Sequence, residues 1–250
     1  MTLNLLVAPD FAPENFPGWY MLGTLLQHRS GTRLHLLMPA DAREQAQMLA
    51  DGLADLVYAN PFDATSMIRE QGYRAFARPA AHSNEMVIAT AAGSPLATVE
   101  DLRPGCRIAV TDNRDVRLIG LRLLEPADLT EQDVQWEEVA SYQAAARMTL
   151  SGQVDAGFFL ASAYHALARI TRERLKVLVE SKLRDISHVL LAHPRVGGDL
   201  QPLAQALLAV DPDDAGDAQV LQALGLPRGF EPMELEDAEF MIDLMDTLLD

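Results

Sequence analysis

Apolar residues fall along this chain in two alternating rhythms: short continuous blocks of about five, and longer stretches with apolar positions three or four apart. Leu3 to Val7 reads as a buried strand and Phe16 to His28 as a helix. Arg33 to Met38, after the Ser30-Gly31 turn, reads as a second strand. The next stretch, Ala42 to Tyr58, is echoed by Tyr142 to Phe158: Ala46, Met48, Gly52 and Asp55 return as Ala146, Met148, Gly152 and Asp155. Each copy predicts an amphipathic helix ended by a left-handed Gly, then two residues, an Asp and a short apolar strand. The chain is therefore built twice.

Around the first copy, Asn60-Pro61 opens a helix to about Gln71, Pro being suited to a first helical turn, and Tyr73 to Arg78 forms a strand. Around the second, the pattern predicts a strand at Arg107–Thr111, a helix at Asp115–Leu124 and a strand at Val134–Val139. A helix near Ala161–Thr171 and a strand near Leu175–Val179 follow. Strands alternating with helices at this length imply α/β lobes with open, mostly parallel sheets covered on both faces. Asn84 to Thr90 leads out of the first lobe and Ile186 to His193 leads back, a two-stranded hinge. The tail, with helices near Leu200–Val210, Ala215–Leu224 and Glu234–Leu248, returns to the first lobe. Lobe one is thus residues 1–82 plus 190–250, and lobe two residues 83–189. Such lobes leave a cleft at the carboxyl ends of their strands, where ligands bind in open α/β sheets and hinge closure accompanies binding.

Composition narrows the function. An apolar content of 49% fills two cores, and the formal charge of −16 repels nucleic acid and anionic lipid. Cys106 is the single cysteine, so no internal disulfide forms, and no Cys/His spacing matches a zinc site. Neither a metal nor a cofactor is expected. The beginning of the sequence has no basic, apolar and small-residue leader, and no apolar run approaches a membrane span, which reads as a cytoplasmic protein unless a leader was trimmed.

Several segments together resemble the phosphate/phosphonate-type periplasmic substrate-binding proteins, which have the bilobed type II fold. They are Gly52-Leu-Ala-Asp55, Asn60-Pro61-Phe62, Gly93-Ser94-Pro95-Leu96, Val99 to Val110, Ser141 to Ala145, Ser151 to Asp155 and Leu224 to Phe230. The resemblance implies a non-enzymatic small-molecule binding protein with a ligand cleft. It also marks departures. Where phosphonate binders resemble one another in a Ser-Thr-Ser run at the head of the second lobe's first helix, this chain has Asp115-Val116-Arg117. The family's Tyr after the Gly-Pro-like turn is Ala64, its Ser-His pair is Ser141-Tyr142, and its acid after the Asp155 strand is Leu160. A carboxylate in place of hydroxyls opposes a phosphonate oxyanion, and Arg114 or Arg117 partly offsets it.

The candidate ligand contacts are Asp10, Phe11, Tyr58, Asn60, Phe62, His82, Asn113, Arg114, Asp115, Tyr142 and Phe159. Tyr58, Phe62, Tyr142, Phe158 and Phe159 make an aromatic-rich wall, suited to a flatter or less charged ligand. For several of these a plainer reading stands beside the functional one. Phe158 and Phe159 alternate on a strand, so one faces the core and either is the ligand contact. Tyr58 is a buried strand end or a contact, and His82 a hinge residue or a pH-sensitive contact. Asp10 and Phe11 are a cleft lip or a solvated loop. Trp19 reads as core, Asp55 and Asp155 as structural turn residues, and Asp211 to Asp217 as a helix-capping loop rather than a calcium loop, since Ala215 and Gln222 occupy two ligand positions.

The leading expectation is a cytoplasmic sensor or ligand-delivery protein whose ligand is not a simple phosphonate, with a transporter or signalling protein as partner. The alternatives are the solute receptor of an ABC importer, an enzyme of the chorismate-dehydratase-like type, and a protein-interaction module with a filled cleft.

Overall fold

The computed structural model describes residues 2–9, 15–182 and 186–249. The chain divides into two compact units, Met1–His82 with Ser187–Met245, and Ser83–Ile186 with Asp246–Asp250.

Unit 1 is built on a six-stranded sheet. In chain order its elements are β1 (Thr2–Val7), α1 (Phe16–Ser30), β2 (Arg33–Leu37), α2 (Ala42–Ala50), β3 (Leu56–Ala59), α3 (Pro61–Gln71) and β4 (Arg74–Pro79). Unit 2 follows with β5 (Met86–Ala91), β6 (Arg107–Val110), α4 (Arg114–Leu123), β7 (Gln135–Glu138), α5 (Tyr142–Leu150), β8 (Ala156–Leu160), α6 (Ala161–Ala166), α7 (Arg169–Arg172) and β9 (Leu175–Glu180). Back in unit 1 come β10 (Val189–Ala192), α8 (Leu200–Leu208), α9 (Ala215–Leu224) and β11 (Phe230–Pro232), and α10 (Leu235–Leu249) ends the chain.

The strand orders are β11-β4-β10-β3-β1-β2 in one sheet and β7-β6-β8-β5-β9 in the other. Leaving out β11, the two orders are the same, with β10 and β5 in the same place. Each sheet has parallel pairs at one side, β1 with β2 and β3, and β6 with β7 and β8. The strand that enters from the other half of the sequence runs against both its neighbours: β10 between β3 and β4, β5 between β8 and β9. Among the described residues β5 is the reversed strand of one sheet, whereas the other sheet has two, β10 and the edge strand β11, which is antiparallel to β4.

The echo seen in the sequence is an echo in hydrogen bonding. Asp41 and Ser141 cap α2 and α5 by accepting the N–H of Glu44 and Ala144 at 2.8 and 3.2 Å. Gly52 (φ 66°) and Gly152 (φ 71°) turn left-handed, and the next residue closes each helix by an N–H bond back to Met48 or Met148, both 3.1 Å. Asp55 then accepts the Asn4 N–H and Asp155 the Arg107 N–H, both at 2.8 Å, so each carboxylate pins the start of a neighbouring strand. The structural reading of both acids holds. Asp55 carries a further bond from the Arg195 Nε at 2.7 Å.

Two layers of helices bury the sheet of unit 1. Trp19, Leu22 and Leu26 of α1 pack with Leu203 and Leu207 of α8 and Leu221 of α9 against Leu3, Leu5 and Leu190. The opposite face takes Ala64 and Met67 of α3 and Met241 of α10. In unit 2, Ala145 and Ala146 of α5 and Tyr164 of α6 cover one face with Phe159. On α4, a Cβ at Gly120 would fall 2.1 Å from the Phe158 ring, so only glycine lets the helix approach that closely.

Three sequence expectations shift. The helix anticipated across Ala161–Thr171 is two, because Leu167 and Ala168 are extended and Leu167 turns into the core. β11, which the pattern did not announce, is a three-residue edge strand beside β4 ending in Pro232. The outgoing and returning segments form ladders only over β5 and β10, shorter than the apolar runs that mark them.

The Asp211–Asp217 segment caps α9, with Asp214 accepting from the N–H groups of Gly216 and Asp217 at 2.9 and 3.0 Å. Asp217 itself is buried and holds Arg29 of α1 by two bonds of 2.9 and 2.7 Å, together with the Asp211 N–H at 2.9 Å. Burial, the largest influence, pushes its carboxyl up, but the Arg29 and Asp211 bonds outweigh it and hold the pKa below the ordinary 3.8. A carboxyl depressed in the fold stabilises fully above its unfolded pKa and loses that contribution as pH falls through the folded one. Acid unfolding followed by circular dichroism is expected to be steeper below about pH 4 in the native protein than in Asp217→Asn. At pH 7 the variant should lose about 1.5–3 kcal/mol, the range for hydrogen bonds to a charged group.

Candidate functional site

Parallel strands bring their carboxyl ends, and the amino ends of the helices that follow, to one edge of each sheet. In unit 1 this edge carries the ends of β1 and β3 and the start of α3. Asn60 caps α3: its Oδ1 accepts the Asp63 N–H at 2.8 Å and its Nδ2 donates to the Asp63 carboxylate at 3.1 Å. The same carboxylate accepts from Gln45 of α2 at 2.5 Å. Asn60 is thus committed to building the helix start. Phe62, in the first turn of α3, is half-buried.

Tyr58 is more deeply placed than a cleft lip requires. Its ring meets Trp19 at 4.6 Å between centroids on one side and lies nearly parallel to the His188 imidazole, 5.0 Å away at 16°. All three residues are buried. His188 is the third member of this ladder. His193 instead starts the turn after β10 and meets Tyr73 edge-on at 5.0 Å. His82, at the beginning of the outgoing connection, has its pKa lowered first by burial and then by the charge of His188. Asp10 and Phe11 lie outside the described residues.

In unit 2 the corresponding edge carries the ends of β6 and β8 and the start of α4. Asn113 caps α4, its Oδ1 accepting the Val116 N–H at 3.1 Å, and Arg114 is exposed. Asp115, in the first turn, is only 2% exposed and accepts a bond from the Asn84 Nδ2 at 3.3 Å. Asn84 leads into β5, so this carboxylate ties the helix start to the crossover. Arg117 turns away, over the Trp136 ring at 4.6 Å and toward Glu131 at 2.8 Å, and so is engaged on the flank of the unit.

The aromatic wall is mostly core. Phe158 and Phe159 are both 0% exposed, because β8 lies inside a sheet covered on both faces. Phe158 meets Trp136 edge-on at 5.5 Å, and Phe159 packs against Tyr142 and Tyr164 at 6.4 and 5.6 Å. Strand alternation sends the two rings to opposite faces, and each face is filled. The expectation that Phe159 faces a ligand therefore gives way to a packing role. Tyr142, half-buried at the start of α5, leans on that ring. Among the described residues no group of three or more His, Cys, Asp or Glu is arranged to hold a metal ion, and no helix is long and apolar enough to cross a membrane.

The profile of the periplasmic substrate-binding proteins of phosphonate ABC transporters matches residues 5–238. The chain belongs to this family. The resemblance carried by the segments from Gly52 to Phe230 is thus to the family that the profile identifies. No curated protein sequence matches the chain. Among solved structures, this phosphonate-type binding protein is similar to PhnD1 of Prochlorococcus marinus in complex with methylphosphonate, with a TM-score of 0.81 at 13% identity over 99% of this chain and 98% of that one. A Xanthomonas citri protein bound to ATP matches with a TM-score of 0.75 at 17% identity, over 100% and 98% of the two chains. The alkanesulfonate-binding protein SsuA of Xanthomonas axonopodis pv. citri, bound to MOPS, gives 0.66 at 20% identity, over 99% and 92%. At these identities the structures establish the type II binding-protein fold.

Small-molecule binding and association with an ABC transporter are properties of the family. The expectation of a cytoplasmic sensor finds no support in it, since its members are described as periplasmic substrate-binding proteins. The importer receptor is the better supported expectation.

Proposed function

We propose that this protein is the periplasmic solute receptor of an ABC importer, binds its solute without transforming it, and takes a solute less anionic than a simple phosphonate. The observation that carries the ligand class is Asp115, a buried carboxylate in the first turn of α4. A helix start of this kind is where an oxyanion is ordinarily held, by N–H groups and the positive end of the helix dipole. Here the protein's own carboxylate stands in that turn. A second negative charge alongside it is opposed, the more strongly where water is excluded. Donor groups on the solute, such as ammonium, amide or hydroxyl, suit that carboxylate.

In this reading the candidate contacts are Asn113, Arg114 and Asp115 with Tyr142 on unit 2, and Phe62 and His82 on unit 1. Asn60, Tyr58 and Phe159 shape those edges from behind. The solved relatives in complex with methylphosphonate, ATP and MOPS indicate that the fold accepts solutes of very different size, which fits a receptor whose specificity lies in a few side chains.

The test is thermal unfolding of the purified protein against a panel of alkylphosphonates, alkylsulfonates, amino acids, amines and neutral heterocycles. A solute at one hundred times its dissociation constant adds about 2.7 kcal/mol, a rise of roughly 5–10 °C at this size. Stabilisation by an amine- or amide-bearing solute with none by methylphosphonate upholds the proposal. Methylphosphonate as the strongest stabiliser overturns the ligand class, and turnover of any panel member overturns the receptor role.

A further inference from the structure

The outgoing connection and the returning one are hydrogen-bonded side by side. Asn84 donates its N–H to the Ile186 carbonyl at 2.6 Å. The chains run in opposite senses, as the neighbouring ladders of β5 with β9 and of β10 with β4 show. Two residues before Asn84 stands His82, and two residues after Ile186 stands His188. In an antiparallel register those two positions face each other across the strands, where side chains interact and like charges are destabilising.

We propose that His82 and His188 form a cross-strand pair that makes the double connection between the two units sensitive to protons. With both imidazoles neutral the connection stays paired. With both protonated, two like charges stand opposite one another on its two segments, and the pairing loosens.

The surroundings favour such a device. His188 is held against the Tyr58 phenol ring, backed in turn by the Trp19 indole, so its imidazole has a fixed place on β3's side. Ala81, immediately before His82, adopts a left-handed φ of 50°, a conformation uncommon for a residue with a Cβ, which fixes the turn that presents His82. Among the described residues the charged group acting on His82 is His188, and the Tyr58 phenol stacked on His188 is uncharged in the range where histidine titrates. Burial is the larger influence on His82 and acts in the same direction, by disfavouring the imidazolium. A histidine depressed in the fold contributes stability above its unfolded pKa, near 6.5, and loses it as pH falls through the folded value. The window therefore lies below about pH 6.5.

The experiment is amide hydrogen exchange of the full chain, read as protection factors normalised for intrinsic rates. It compares the native protein with His82→Gln and His188→Gln between pH 7.5 and pH 5. Protection of the Asn84 amide is expected to fall roughly tenfold in the native protein and by less than about twofold in either variant, since one histidine lacks its like-charged neighbour. Protection that stays constant in the native protein, or falls equally in all three, overturns the proposal. Should a variant fold poorly, the titration of ¹³C-labelled imidazoles in the native protein decides. Two linked steps, with one pKa below the ordinary range, uphold the pair; two independent titrations near 6.5 overturn it.

Discussion

Phe159→Ala is expected to lower the stability of the protein by about 3–5 kcal/mol, the range for emptying a buried aromatic site. The ring is fully buried in unit 2, with Tyr142 on one side and Tyr164 on the other. β8 is an interior strand, so its neighbours β6 and β5 are fixed by ladders on both sides and cannot close in on the vacated volume. Gly157 adds to the constraint: a Cβ there would fall 2.8 Å from the Phe159 ring, so the ring occupies space that the sequence keeps clear by a glycine two residues away. Denaturant unfolding measures the loss. A ring that served a ligand instead would leave stability nearly unchanged and weaken binding alone, and a loss under 1 kcal/mol would restore that reading. Phe159→Leu, which keeps most of the apolar volume, should recover the greater part of the loss.

Asp115→Ser should raise the affinity for methylphosphonate at least tenfold. A carboxylate 4 Å from a bound oxyanion opposes it by roughly 4 kcal/mol at an effective dielectric constant of 20, and tenfold requires only about 1.4 kcal/mol, which leaves room for screening by solvent. Serine keeps an acceptor for the Asn84 amide, which now donates to Asp115 at 3.3 Å, and offers a hydroxyl donor to the anion. The Asn113 cap at the head of α4 is untouched, so the helix start stays formed. Isothermal titration with methylphosphonate reads the change directly. Equal binding by native protein and variant would remove Asp115 as the determinant of charge selection, whereas loss of amine or amide solutes in the same variant would strengthen it.

These two positions divide the kinds of information that the chain carries. Asp115 was readable as chemistry: a carboxylate at the head of a helix changes the local charge whatever surrounds it. Phe159 was not, because strand alternation states that Phe158 and Phe159 point to opposite faces and is silent on whether the second face is covered. Covering depends on α4, which approaches Phe158 through Gly120, and on α5 and α6, which close over Phe159. Asn60 and Tyr58 show the same division. Their place at the end of β3 followed from the pattern, and the Asn60 cap on Asp63 is local to the start of α3, while the Gln45 bond to Asp63 and the rings that enclose Tyr58 come from α2, α1 and the returning chain.

The sequence by itself determined the doubled plan, since the helix stop at Gly52 and Gly152 and the strand-pinning Asp55 and Asp155 depend on backbone conformation and on bonds within a few residues or to the next strand. It also determined the alternation of strands and helices, which follows from local hydrophobic period. Only the tertiary structure decided that β5 and β10 enter each other's half of the chain in matching places, that α6 and α7 break where Leu167 turns inward, and that Asn84 comes to bond Ile186. Contacts between residues about a hundred positions apart are set by which faces remain to be buried once local structure has formed, and that choice is made by the assembled chain.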